Sequence, residues 1–301
     1  AHTHLVAPGD GTSGDDLALD DDDIMLMRAA KNARTALNAG VTTLRDNGAK
    51  NRVAFSLRAG VEQGLTVSPR LNICGRPITI TGGHMWYFGS EADGVDAVRT
   101  EVRKLIKEGA DYIKIVATGG STRSSFPNLP SYTVEELCAI TDEARKFDKL
   151  TAAHCASSEG TANCLDADVD MIIHCQFRDA DGSYSFREDL AEQIVKANAW
   201  VNPTLYTSMA TVVRLNEKRS REPLSEAEER LIEDRKRRYD EHLEGMRRLL
   251  EMGVKMVAGS DSPWMDYAPG GFVHELQALA ETGMSNTRAI IAGTSDAAES
   301  I

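Results

Sequence analysis

The chain has 301 residues, of which 42% are hydrophobic and 27% are charged, a balance typical of a folded globular protein. Its net charge of -12 argues against a nucleic-acid partner, because such proteins present a basic face. No apolar run approaches the roughly 20 residues that span a bilayer, so no membrane segment is expected. The five cysteines are odd in number and form no CxxC pair, which predicts reduced thiols and a cytoplasmic location.

Strand-like and helix-like segments alternate along the chain. Short apolar runs predict strands that end near residues 4, 46, 79, 117, 154, 174, 205 and 260. Helical patterns predict helices over residues 24–38, 53–63, 93–108, 133–147, 159–167, 187–198, 272–281 and 286–300, and a long charged helical segment over 207–253. Capping boxes at Thr133/Glu136 and Ser225/Glu228 mark two of the helix starts.

This alternation predicts an α/β fold, a (β/α)8 TIM-like barrel in one domain over residues 1–301. A doubly wound open sheet is the structural alternative. It would normally use fewer strands, and no glycine-rich dinucleotide fingerprint follows the first predicted strand. Because that strand has almost no residues before His2, the sequence is expected to be an excerpt of a longer chain.

Polar residues mark the carboxyl ends of the predicted strands, where barrel active sites form. His2 and His4 share one face of the first strand, because side chains alternate along an extended chain. The remaining members are Lys114, within an apolar run, and three residues at later strand ends, His154, His174 and Asp261. Each alone has an ordinary explanation, as a hydrogen-bonded histidine, a snorkelling lysine or a helix cap. Their coincidence at one rim predicts a metal site.

These residues resemble, in order and strand placement, the metal motif of the amidohydrolase superfamily, binuclear subtype. The resemblance covers essentially the whole chain. The stretches at 83–94, 112–120 and 271–276 resemble more specifically its imidazolonepropionase-like and Xaa-Pro dipeptidase (prolidase-like) branch. It implies a barrel whose accessory β-sandwich is absent from this segment.

The resemblance also implies the role of each ligand. His2, His4 and Asp261 would hold the more buried of two divalent ions, and His154 and His174 the second. Lys114 would react with CO2 to form a carbamate that bridges both ions. These nitrogen and oxygen donors suit Zn2+, with Mn2+ or Co2+ as alternatives. The two ions would lower the pKa of a water and polarise a scissile carbonyl, while Asp261 carries the proton from water to the leaving amine.

Residues that contact the substrate are predicted from the loops at this face. His84, in a glycine-flanked loop, is a candidate to polarise the carbonyl or bind a substrate carboxylate. Tyr87, Arg123 and Tyr206 are further candidates, with a solvated rim position as the alternative for the last two. The other two histidines are not predicted to contact the substrate. His274 is expected to support the site, and His242 is expected to lie on a charged helix face. Residues 214–248 are expected to be a solvated helical excursion, with a lid as the alternative.

The predicted function is cleavage of an amide bond in a dipeptide or N-acyl amino acid with a free carboxylate. A hydrolase of cyclic amides, lactones, carbamates or organophosphates would use the same centre and is the first alternative. A non-catalytic metal-binding barrel is the second, although no ligand position is lost here. The expected partner is a small-molecule substrate, with no nucleic acid or membrane, and a homo-oligomer is left open.

Overall fold

The computed structural model describes residues 1–301 and contains six regular strands and twelve α-helices. The strands are β1 (Thr43–Asp46), β2 (Arg70–Ile73), β3 (Ile113–Val116), β4 (Thr151–Cys155), β5 (Met171–His174) and β6 (Trp200–Asn202). The helices are α1 (Gly14–Leu17), α2 (Asp22–Asn38), α3 (Val53–Glu62), α4 (Val95–Glu108), α5 (Val134–Arg145), α6 (Ser158–Asp166), α7 (Glu188–Ala197), α8 (Tyr206–Arg219), α9 (Glu226–Glu251), α10 (Phe272–Glu281), α11 (Asn286–Ala292) and α12 (Ser295–Glu299).

The regular strands form two parallel sheets, β1–β2 and β3–β4–β5–β6. Isolated parallel bridges extend this order. Thr3 bridges both Asp46 and Ser262, Ile78 bridges β3, and Met256 bridges β6. The regular ladder does not close, and the arrangement is consistent with the predicted TIM-like barrel.

The predicted last strand, ending near residue 260, is not a regular strand in the structure. Only Met256 forms a bridge to β6. The side-chain amide of Asn202 donates hydrogen bonds of 3.2 Å and 3.1 Å to the carbonyls of Val257 and Gly259. The Asn202 side chain therefore donates to carbonyl groups that would accept backbone N–H groups in a continuous ladder.

Most predicted helices are present within one or two residues of their expected ends. Both capping boxes form, at Thr133 for α5 and at Ser225 for α9. The expected helix over 286–300 is wrong in one respect, because Gly293 and Thr294 divide it into α11 and α12. Before α2, residues 14–17 form α1, a single turn that Ser13 caps.

The core lies between the parallel strands and the surrounding helices. Each residue of β3 and β4 is buried, as expected where helices cover both faces of parallel strands. No helix is both long enough and apolar enough to cross a membrane.

The register of the sheet brings the strand ends to a common level. Val116 of β3 lies opposite His154 of β4, and Cys155 lies opposite His174 of β5. Parallel strands leave the sheet at the same edge, so the carboxyl ends of these strands lie side by side.

Candidate metal centre

His2, His4 and Asp261 bring three potential ligand atoms together. The Nε2 atoms of the two histidines lie 3.3 Å apart. Oδ1 of Asp261 lies 3.1 Å from Nε2 of His2 and 3.5 Å from Nε2 of His4. All three residues are buried, and the three atoms lie within 4.8 Å of one another. This donor set and its spacing fit a single divalent ion.

The far side of each of these two imidazoles has a fixed hydrogen-bond acceptor. Nδ1 of His2 lies 3.2 Å from Oδ1 of Asn202, and Nδ1 of His4 lies 3.3 Å from the carbonyl oxygen of Gly48. An acceptor at this position requires Nδ1–H on the ring. The lone pair of each imidazole is therefore on Nε2, which faces Asp261.

His154 and His174 form a second imidazole pair, with ring centroids 4.6 Å apart. Nε2 of His154 donates to the carbonyl of Gly119 at 2.9 Å, which leaves the lone pair on Nδ1. Nδ1 of His174 lies 2.6 Å from Oγ1 of Thr204, whose hydroxyl donates to the carbonyl of Pro203. Thr204 therefore accepts from His174, and the lone pair of His174 is on Nε2. The His174 ring lies 5.7 Å from that of His2, so the two pairs adjoin.

Two of these residues have a backbone conformation that is rare outside glycine. His174 has φ of 66° and Asp261 has φ of 60°. The left-handed region costs an L-residue roughly 1–2 kcal/mol, so surrounding contacts must hold it in place. Strain of this kind is concentrated at functional sites.

Lys114 projects from β3 into the middle of the cluster. The residue is 1% exposed, and its Nζ has no hydrogen-bond partner. Its charge acts on all five histidines around the site, lowering the pKa of each: His2, His4, His84, His154 and His174. Burial lowers the pKa of Lys114 to about 8, although Asp261 opposes this effect. An unpaired amine at this depth is costly, unless it binds a further group.

Burial keeps the imidazoles neutral. It lowers the pKa of His4 to about 3, and it holds the pKa well below its usual range in three more rings, those of His2, His154 and His174. Neutral imidazoles offer lone pairs to a metal. Burial raises the pKa of Asp261 to about 6, against the attraction of nearby positive charge. These six residues (His2, His4, Lys114, His154, His174 and Asp261) are referred to below as the strand-end cluster.

His84 lies beside the strand-end cluster, its ring 4.7 Å from that of His154. Nδ1 of His84 is 2.8 Å from Oγ1 of Thr122, and the N–H of Met85 donates to the same oxygen at 3.1 Å. A Cβ on Gly120 would lie 2.3 Å from Cδ2 of His84, so the close approach of this loop requires glycine. His84 lines a cavity of about 320 Å³ that opens over the cluster.

The other three predicted substrate residues do not line this cavity. Tyr87 is buried beneath the loop. Arg123 is exposed and lies 3.5 Å from Asp16. Tyr206 stacks on His274, with ring centroids 4.7 Å apart. Contact between these three residues and a substrate stays a prediction that the geometry does not favour.

The helical excursion contributes a wall of the same cavity. Asp234, Arg235, Arg238 and His242 of α9 line it, and we call these four residues the α9 wall. The expectation that His242 is part of a charged surface is wrong, because its Nε2 donates to the carbonyl of His174 at 2.7 Å. The sequence feature that could have indicated this wall is the helical spacing of its four residues, which places them on one face of α9.

A larger cavity of about 670 Å³ lies between β1, the end of α2 and the C-terminal helices. Its charged side chains are Arg45 and Arg70, and no cluster of carboxylates and imidazoles faces it. Since metal chemistry requires converging donors, the smaller cavity over the strand-end cluster is the candidate site.

The family model described as the amidohydrolase family matches residues 1–301. An ochratoxinase from Aspergillus niger is 26% identical over 306 residues, covering 91% of this chain and 58% of that protein. The chain therefore spans less than two thirds of the length of the curated relatives it matches.

Solved structures with the same fold cover nearly the whole chain. A Xaa-Pro dipeptidase with bound methionine in the active site has a TM-score of 0.81 at 23% identity, covering 99% of this chain and 73% of that one. A prolidase complexed with N-methylphosphonate-L-proline has a TM-score of 0.81 at 26% identity, covering 99% and 72%. The A. niger ochratoxinase has a TM-score of 0.77 at 24% identity, covering 99% and 70%.

Proposed function

The chain belongs to the amidohydrolase family, and from this premise we propose that it is a hydrolase that cleaves an amide bond with a binuclear metal centre. The proposed substrate is a dipeptide or an N-acyl amino acid. One observation carries the metal centre: three buried ligand atoms converge beside a second imidazole pair and an unpartnered lysine.

The proposed ligands divide into two groups. His2, His4 and Asp261 would hold one ion, and His154 and His174 the other. The ammonium of Lys114 would lose one proton, and the resulting amine would add to CO2, forming an N–C bond and releasing a second proton, so that a carbamate replaces an ammonium. This exchange supplies two oxygen donors and removes the cost of a buried, unpaired cation. When bound, the ions supply Lewis acidity and lower the pKa of a water.

Asp261 is proposed to move the proton. Its pKa, raised by burial to about 6, leaves the carboxylate ionised at neutral pH but easy to protonate. It would accept the proton of the attacking water and return it to the nitrogen of the leaving amine, which breaks the C–N bond. One carboxylate can serve both the attacking water and the leaving nitrogen because Asp261 lines the cavity.

His84 is proposed to stabilise the carbonyl oxygen. Burial lowers its pKa to about 3, so the ring is a neutral donor. The hydroxyl of Thr122 is proposed to donate to Nδ1, which places the N–H of His84 on Nε2. A donor fixed in this way stabilises charge that develops on the carbonyl oxygen as water attacks.

The substrate class rests on the relatives. These relatives include a prolidase, a Xaa-Pro dipeptidase and an ochratoxinase, and the prolidase was crystallised with a phosphonate derivative of L-proline. From these relatives we infer the substrate class, an amide of an amino acid. The cavity of about 320 Å³ is of a size suited to a small molecule.

Metal loading of the purified protein with Zn2+ and bicarbonate tests the centre. We expect about two equivalents per chain by elemental analysis and a higher melting temperature than in the chelated protein, because ligands that bind the native state stabilise it. His154→Ala should lower the stoichiometry towards one. His274→Ala, an exposed histidine outside the cavity, should leave it unchanged.

A panel of dipeptides and N-acetyl amino acids then tests the reaction, with release of the free amino group as the readout. Turnover should disappear on chelation and return with metal. Metal uptake without hydrolysis of any member would contradict the proposed substrate class. Failure to bind metal would contradict the centre itself.

A further inference from the structure

The α9 wall carries two arginines with different surroundings. Arg238 is held by Asp234, with Nε 2.8 Å from Oδ2. Arg235 has no carboxylate within 4 Å and its Nε is buried without a hydrogen-bond partner. The carboxylates nearby are already engaged, since Asp234 pairs with Arg238 and Asp266 pairs with Arg214. Arg235 is thus the cation of this wall that has no ion-pair partner.

Burial disfavours the charged form of Arg235. Burial lowers the pKa of its guanidinium, and the neighbouring charge of Arg238 lowers it further. A guanidinium still stays protonated at any physiological pH. A partly buried cation without a partner therefore stabilises an anion that enters the cavity.

The α9 wall is fixed relative to the strand-end cluster. His242 donates to the carbonyl of the ligand residue His174 at 2.7 Å. The preceding residue, Glu241, forms an ion pair of 2.7 Å with Arg178, a buried side chain from the loop after β5. Arg235 lies seven residues before His242, a distance of roughly 10 Å along the helix axis. Arg235 thus lines the cavity from a helix that is tied to the strand-end cluster.

We propose that Arg235 binds the carboxylate of the substrate, and that this contact makes the enzyme selective for acylated amino acids over their neutral carboxamides. This inference rests on the proposed function and adds to it the residue that sets specificity. The planar fork of a guanidinium matches a carboxylate with two parallel hydrogen bonds. Arg238, already paired with Asp234, supports the positive field without being free to form the same fork.

Matched substrate pairs test the assignment. Each pair is an N-acetyl-L-amino acid and its carboxamide, which differ only in the charged group, and release of acetate is measured with the metal-loaded enzyme. The wild type should prefer the acid in kcat/KM. Arg235→Gln should cut kcat/KM for the acid by about 10- to 100-fold, mainly through KM, because a charged hydrogen-bonded pair is lost. Its rate on the carboxamide should stay within about twofold.

Two variants control the experiment. Arg235→Lys should recover part of the preference, since it keeps the charge but not the fork. Arg230→Gln changes an exposed arginine of the same helix that pairs with Glu226, so it should behave as wild type. An equal fall of Arg235→Gln on acid and carboxamide, or an unchanged preference, would overturn the assignment.

A binding measurement separates this inference from the proposed reaction. If the wild type hydrolyses neither member of any pair, calorimetric titration with the same N-acetyl amino acids still reports on Arg235. Binding of the acid by the wild type and its loss in Arg235→Gln would support the carboxylate site, although the proposed substrate class fails. Absence of binding in both proteins would reject the site.

Discussion

The two sides of the cavity differ in the kind of side chain that forms them. The four imidazoles of the strand-end cluster are short side chains whose far sides are fixed by backbone carbonyls, Asn202 and Thr204. The α9 wall consists of long, partly exposed side chains on one face of one helix. Fixed donors suit chemistry that requires metal geometry, whereas long cations suit recognition of a charged group. The difference predicts that changes to the cluster affect kcat and metal content, and that changes to the wall affect KM.

The largest effect is expected from Asp261→Asn in the cluster. The amide oxygen keeps the shape of the ligand but cannot accept a proton at neutral pH. We expect metal content to stay substantial while kcat falls about a thousandfold, as for the loss of a general base. Asp240→Asn, on the exposed face of α9, is the matched control. Near-normal turnover in Asp261→Asn would reject its role in proton transfer.

The next effect is expected from Lys114→Met, which replaces the buried amine with an apolar chain of similar length. Loss of the bridging group should lower bound metal from about two equivalents towards one. The fall in kcat should be about a hundredfold, because one ion's contribution of several kcal/mol is lost. Unfolding should not become easier, since the variant removes a buried charge without a partner. Lys107→Met, an exposed lysine, is the control; two equivalents of metal in Lys114→Met would contradict the bridging role.

A smaller effect is expected from Asn202→Ala, which leaves every proposed ligand in place. Asn202 accepts from Nδ1 of His2 and holds the carbonyls of Val257 and Gly259. Its loss should weaken metal affinity by about 10- to 100-fold. Competition with a chromogenic chelator measures this affinity, and Asn163→Ala, outside the cavity, controls for the substitution. Unchanged affinity would show that His2 needs no orienting acceptor.

The strand-end cluster could be predicted because parallel strands impose a simple geometry. A polar residue at the end of an apolar run, such as His154 or His174, must appear at the carboxyl edge of the sheet. The family and the parallel α/β fold predicted from these residues are confirmed by the family model and by the solved structures. The roles of the individual residues as ligands stay predictions.

The residues that orient the ligands were harder to find. Asn202 and Thr204 lie within a predicted strand, where a polar side chain has no fixed partner until the neighbouring segments are placed. The same amide explains why the last predicted strand is irregular, because it pairs with carbonyls of that segment. A sequence pattern reports the period of one segment, whereas these contacts join segments that are far apart in the chain.

The α9 wall was missed for a related reason. A charged helix is usually a solvated surface, and nothing local distinguishes Arg235 from the exposed Arg230 on the same helix. The docking of α9 against the loop after β5, through Arg178 and Glu241, decides which face meets the cavity. The same limit applies to Arg123, a loop residue whose direction depends on packing.

The smallest effect is expected from His242→Leu in the α9 wall. Burial lowers the pKa of His242 to about 4, so the substitution removes a neutral ring and no charge. It deletes the hydrogen bond to the carbonyl of His174, which should cost about 1 kcal/mol of unfolding free energy. Because this bond positions α9 and donates nothing to a metal, metal content and kcat should stay near wild type. KM for an acid substrate should rise by at most about fivefold, the equivalent of about 1 kcal/mol. His274→Leu is the control, and loss of metal from His242→Leu would show that the wall and the cluster are not separate in function.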